Sequence, residues 1–254
     1  MTVATGHCDN LASSTMRARA PESRRFENLF FFSMALLILA TVFVGFAKTY
    51  FLAGIFRAHL PNLVIHMHGA AFTAWMLLLI TQTSLVSAGR VDIHRKLGIA
   101  GFCLACLMVV LGTLAATNML ARGDPPFADP KAFYAVTLLD MVLFATMVFF
   151  AFRARGDSST HKRLILLATI GLLDAAFCRW PFAVFSANVP MTFLFLYIFI
   201  LLLAAYDLWS MRRVHPATLW GGIFVIFMHE ISLPIGRTAA WHDFATWAQR
   251  LGHF

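Results

Sequence analysis

The feature that most constrains this chain is the recurrence of apolar runs long enough to cross a membrane, separated by short basic turns. A helix rises about 1.5 Å per residue, so roughly 20 apolar residues span the hydrocarbon core of a bilayer. Runs of this kind occupy 29–53, 64–88, 96–118, 131–153, 162–185, 190–210 and 216–235. Lipid offers no partner to a backbone amide or carbonyl, so runs this long must close their hydrogen bonds internally, as helices. The expected fold is therefore all-α: a polytopic membrane bundle of seven transmembrane helices. Only 13% of the 254 residues are charged, about half the share of a soluble domain. A single membrane domain fits that better than one or two soluble ones.

The net charge of +8 is not a nucleic-acid signature. The cations cluster between the apolar runs, with no basic stripe carrying interleaved aromatics, so no nucleic-acid partner is expected. Arg17, Arg19, Arg24 and Arg25 precede the first run. Arg90, Arg95 and Lys96 join the second to the third, Arg153, Arg155, Lys162 and Arg163 the fourth to the fifth, and Arg212 and Arg213 the sixth to the seventh. The alternate connections hold Arg57, then Arg122 and Lys131, then no cation near Asn188. Basic loops stay cytoplasmic, which predicts a cytoplasmic amino terminus, a carboxyl terminus outside, and a multi-pass place in the cell membrane. Residues 1–27 read as a polar cytoplasmic tail without the early apolar core of a secretory signal. Residues 28–236 form the transmembrane domain. Residues 237–254 place Trp241, Phe244, Trp247 and Leu251 near helical spacing, as an amphipathic helix on the outer interface.

Cys103 and Cys106 form a C-x-x-C inside an apolar run with no second pair. That excludes an ordinary zinc site or thioredoxin-like motif and suits small-residue helix packing. The histidines are more informative. The three basic turns lead into DIHRKLG, STHKRLI and RRVHPAT, which set His94, His161 and His215 at one depth on the cytoplasmic side. They read either as a metal- or haem-binding cluster or as interfacial residues at capped helix starts. For the caps, Asp92, Ser159 or Thr160, and His215 itself are the candidates, with Pro216 in a first helical turn.

His94-Arg95-Lys96-Leu97-Gly98, with histidines opening the preceding run in IHMHG, resembles uncharacterised bacterial polytopic proteins carrying His-Arg-x-Leu-Gly. Those in turn are distantly similar to small haem-binding bundles of the cytochrome b561 type. The resemblance covers about a fifth of the chain and implies a b-type haem held by membrane histidines. STHKRLI lacks the glycine, and RRVHPAT departs further.

Ionisable residues inside spans are costly and mark function by default. Counting from the turn centred near residue 157, Asp140 and Asp174 both lie about 17 residues away, roughly 25 Å up at 1.5 Å per residue. His229 and Glu230 lie equally far from their own turn, Lys48 is near that level, and Arg179 is about one turn higher. Lys48, Asp140, Asp174, Arg179, His229 and Glu230 thus predict one polar layer, either self-paired or holding a small molecule or ion. His229 shares a stripe with Thr218, Gly222, Ser232 and Gly236, and so faces the bundle. His66 and His68, two apart, differ by about 200° around a helix. His66 aligns with Ala70, Thr73, Thr81 and Ser84 and is expected inside, above the acids; His68 aligns with Phe72, Trp75 and Leu79.

Two functional classes emerge. One is a redox protein using haem b or a transition metal, with ligands among His66, His68 and His229 outside or His94, His161 and His215 inside. The other is a proton-coupled carrier using Asp140, Asp174, His229 and Glu230. A structural role without catalysis is the third reading. A zinc hydrolase would want two histidines one turn apart, and a retinal protein a lysine in its last helix; the chain has neither.

Overall fold

The computed structural model describes residues 21–56, 62–123, 129–182, 185 and 188–252, without the side chains of 21–23. Residues 1–20, which hold most of the tail along with Cys8, Arg17 and Arg19, lie outside the described residues, as does Arg57. The described elements are helical: α1 (Pro21–Phe46), a π-helical turn (Ala47–Phe51), α2 (Ala53–Phe56), α3 (Leu63–Ser87), α4 (Val91–Arg122), α5 (Pro130–Arg153), α6 (Ser158–Ile170), α7 (Asp174–Phe177), α8 (Val189–Met211), α9 (Pro216–Gly236) and α10 (Ala239–Leu251). Six are long and apolar enough to cross a membrane: the first apolar stretch (Arg24–Phe51), α3, α4, α5, α8 and α9. The protein is a multi-pass, membrane-embedded helical bundle.

The run 162–185 differs from the unbroken helix that its hydropathy predicts. It divides at 171–173, between α6 and α7. Leu172 and Leu173 bond back three residues, to Thr169 and Ile170, rather than four. This tightening is typical of 3₁₀ turns. Gly171 permits it in a crowded place, since a Cβ there would meet Leu143 at 2.5 Å. α6 is also the centre of the molecule. It packs on α5, α9 and α8, while α7 packs on α1 and α8. From Arg163 to Asp174 every residue but Ile165 is buried.

α6 and α7 run antiparallel to α8. Arg163, near the start of α6, meets Asp207 near the end of α8. Phe177, at the end of α7, meets Phe195 and Phe199 further back along α8. The cap of α6 is Asp157, which accepts from the amide of Ser159 at 3.0 Å and the hydroxyl of Thr160 at 2.6 Å. This corrects the assignment of that cap to Ser159 or Thr160. Through those hydroxyl and amide bonds the Asp157 carboxyl is held below its ordinary range. α10 turns its small face, Ala245 and Ala248, against α4 and α5 and leaves Phe244, Trp247 and Leu251 exposed. Its end is tied down by Asn118, which donates to the Gly252 carbonyl and accepts from Asn62, the α3 cap.

Candidate functional site

The break in the central helix positions the most chemically loaded group in the molecule. Asp174 opens α7 just beyond the break, Asp140 faces it from the middle of α5, and His229 reaches in from α9. One ligand atom from each lies within 4.8 Å of the other two. All three are buried, with 5%, 5% and 1% exposure respectively. His229 Nε2 is 3.5 Å from Asp140 Oδ1 and 3.2 Å from the carbonyl of Gly171, the residue at which the helix breaks. The imidazole is clamped on its face by Phe193, at 4.6 Å between ring centres and 21° between planes. Asp174 Oδ1 and His229 Nδ1 are buried with no hydrogen-bond partner among the described residues. Buried polar atoms are almost always paired, so two orphans in one group mark it as a site.

Three of the residues predicted for the polar layer therefore assemble, and the others take different places. Lys48 lies exposed in the π-helical turn, with its ammonium 5.9 Å from the Phe56 ring. Arg179 donates to the Ala175 carbonyl at 2.6 Å, contacts the Cys178 sulfur and lies 4.7 Å over the Phe46 ring. Glu230, next to His229 in sequence and about 100° round the helix from it, is exposed and accepts from the Tyr197 hydroxyl at 2.8 Å. The self-neutralising layer is thus replaced by a compact acid–acid–imidazole group. Equal residue counts from the turns bring Asp140, Asp174 and His229 level with one another, and azimuth around each helix decides which of the six meet.

The outer histidines do not join it. His66 lies 5.8 Å from the Tyr50 ring, and its own carbonyl accepts from the Tyr50 hydroxyl at 3.2 Å. His68 packs on Phe72 at 4.3 Å, as its bulky stripe predicts, with Nδ1 enclosed and unpaired. His66 and His68 are therefore not co-ligands with His229 in the three-ligand group found among the described residues.

At the end of the bundle that carries the basic turns, His94 and His161 do approach, with rings 6.3 Å apart and nearly perpendicular. His161 Nδ1 bonds the Ala151 carbonyl at 2.8 Å. His215 is occupied otherwise: Nδ1 accepts from the Ala217 amide at 3.1 Å as the cap of α9. Burial and the nearby Arg163 charge hold the His215 imidazole below its ordinary pKa, and so neutral. A three-imidazole cluster is not assembled among the described residues.

Sequence reasoning counted Arg163 as a loop cation and passed over Asp207. They form a wholly buried pair, with Arg163 Nη2 2.5 Å from Asp207 Oδ1 and both side chains at 0% exposure. Asp207 also accepts from the Thr218 hydroxyl at 2.6 Å and the His215 amide at 3.1 Å, while Arg163 Nη1 donates to Ser159. The available signal was an aspartate just inside a long apolar run, beside a basic turn.

No protein-family model, curated protein or solved structure matches the chain, so the functional reading rests on this geometry.

Proposed function

We propose that the protein is a seven-crossing membrane protein in which Asp140, Asp174 and His229 form a proton-exchanging centre, and that it works as a proton-coupled carrier. α6 and α7 supply the seventh crossing, antiparallel to α8, with the amino terminus cytoplasmic and the centre in the outer half of the membrane. The observation that carries the reading is the break at 171–173, which brings two carboxylates and a backbone carbonyl against one imidazole inside the bundle. Interrupted helices whose freed carbonyls line an ion site are a recurring device of membrane carriers. Two carboxylates this close in a medium of low polarity do not both stay charged without a cation between them. A proton is the cation favoured here, because His229 Nε2 faces the Gly171 carbonyl as a donor, and a nitrogen that carries a proton is not a metal ligand.

The test is charge displacement after a pH jump, recorded from proteoliposomes adsorbed on a solid-supported membrane. The wild-type protein is expected to give a transient that Asp140→Asn and Asp174→Asn abolish. A wild-type signal equal to that of protein-free liposomes, or one unchanged in both variants, overturns the reading.

A metal-dependent redox protein is the second reading, favoured by the 4.8 Å spacing of three ligand atoms. Two carboxylates and a neutral imidazole suit a divalent first-row metal, provided Nε2 gives up its proton. A b-type haem, implied by the resemblance of the His94–Gly98 segment, would rest on His94 and His161. Stoichiometric metal, or a Soret band from the purified protein, would replace the carrier reading with this one.

A further inference from the structure

The buried centre needs a way to the water, and a feature left unexplained by the centre itself supplies one. Glu230 is an exposed carboxylate in a membrane-spanning helix, among the exposed apolar side chains Ile223, Ile226 and Phe227 of α9. An ionisable group on such a face is expensive unless it is paired or serves a purpose. Its partner is the phenol of Tyr197 on α8, at 2.8 Å. Tyr197 is half-buried, and its ring centre lies 6.2 Å from that of His229. One α8 turn earlier, Phe193 stacks on the same imidazole. His229 and Glu230 are consecutive, so a single turn of α9 presents an almost fully enclosed ring to the centre and an exposed acid to the surface. The pair is shallow: Glu230 lies six residues from the end of α9 and Tyr197 eight from the start of α8, roughly 9 and 12 Å along their axes.

We propose that Glu230 and Tyr197 form the lateral proton entrance to the Asp140–Asp174–His229 centre, opening between α8 and α9 toward the outer interface. This rests on the proton reading of the centre. Glu230 takes a proton from the interface and passes it to the Tyr197 oxygen, while the phenol's own proton moves on to His229 Nδ1 through one bridging water. His229 Nδ1 is buried and unpaired, as an acceptor awaiting a proton must be. The imidazole then releases the Nε2 proton to Asp140 Oδ1, 3.5 Å away. One proton enters, one reaches the carboxylate pair, and no electron moves. Among the described residues, the charged and titratable groups near this path are Asp140 from α5, Asp174 from α7, Cys178 just after α7, Tyr197 from α8, and His229 and Glu230 from α9.

The experiment is infrared spectroscopy of the full-length protein in nanodiscs on transfer from H₂O to D₂O. A protonated buried carboxyl gives a C=O stretch that shifts down on deuteration, assigned here by its loss in Asp140→Asn or Asp174→Asn. Deuteration is expected to slow at least ten-fold in Glu230→Gln and Tyr197→Phe, with the band itself and the thermal unfolding midpoint unchanged, and to recover partly in Glu230→Asp. Wild-type exchange rates in both Glu230→Gln and Tyr197→Phe overturn the entrance while leaving the centre in place. A wild-type spectrum without the band overturns the proton reading of the centre, and the entrance with it.

Discussion

At the scale of single residues, neighbours in sequence do opposite things here. His229 is sealed against Phe193 and Asp140 while Glu230 faces outward; Arg163 is enclosed and reaches α8, while Lys162, beside it, is half-buried and pairs with Glu27 on α1. His215 shows how one protonation state holds a helix start. Its Nδ1 accepts the Ala217 amide, which only the neutral ring can do. Its pKa is lowered in the fold, chiefly by burial, so the unfolded chain takes up a proton first. The contribution to stability is complete above the ordinary histidine value of about 6.5 and is lost as pH falls below it. Thermal unfolding in detergent between pH 8 and 5 is expected to show this loss. His215→Asn, which caps without titrating, should flatten that part of the profile. An unchanged pH profile in the variant would remove His215 from the account.

Among the elements, α6 depends most on its neighbours, and the Arg163–Asp207 pair ties it to α8 and, through Thr218, to α9. Removing one partner leaves an uncompensated buried charge, at a cost of about 3–5 kcal/mol. Arg163→Met is therefore expected to lower the unfolding midpoint sharply, and Arg163→Met with Asp207→Leu to recover much of it, because two apolar side chains need no counter-charge. Equal losses in the single and double variants would show that the pair is not coupled. The helices themselves were legible, since hydropathy and turn charges suffice to mark a rod that must satisfy its own backbone in lipid. The division of TIGLLDAAF was not, because nothing apolar distinguishes a 3₁₀ step from an α turn. The shared level of Asp140, Asp174 and His229 was also suggested by residue counts. Their convergence, and the exclusion of Lys48, Arg179 and Glu230, depended on helix rotation, which small-residue stripes fixed for α9 but not for the first apolar stretch.

At the scale of the whole molecule, the proposed seven-crossing topology puts the basic turns and the aromatic face of α10 on opposite sides of the bilayer. In a cysteine-free background, a membrane-impermeant maleimide applied to intact cells is expected to label Asp243→Cys on α10 and to spare Gly156→Cys in the turn before α6, both exposed positions. The reverse pattern would invert the topology. The central place of α6 has a last consequence, for the order in which the bundle is put together. The piece least able to live in lipid alone is the one most enclosed, and one of its walls, the α8–α9 hairpin, is synthesised after it. A ribosome that has released only α1 to α7 has made Arg163 before Asp207 exists to pair with it. Enclosure of α6 therefore waits for the final hairpin, which brings both Asp207 and the α9 wall.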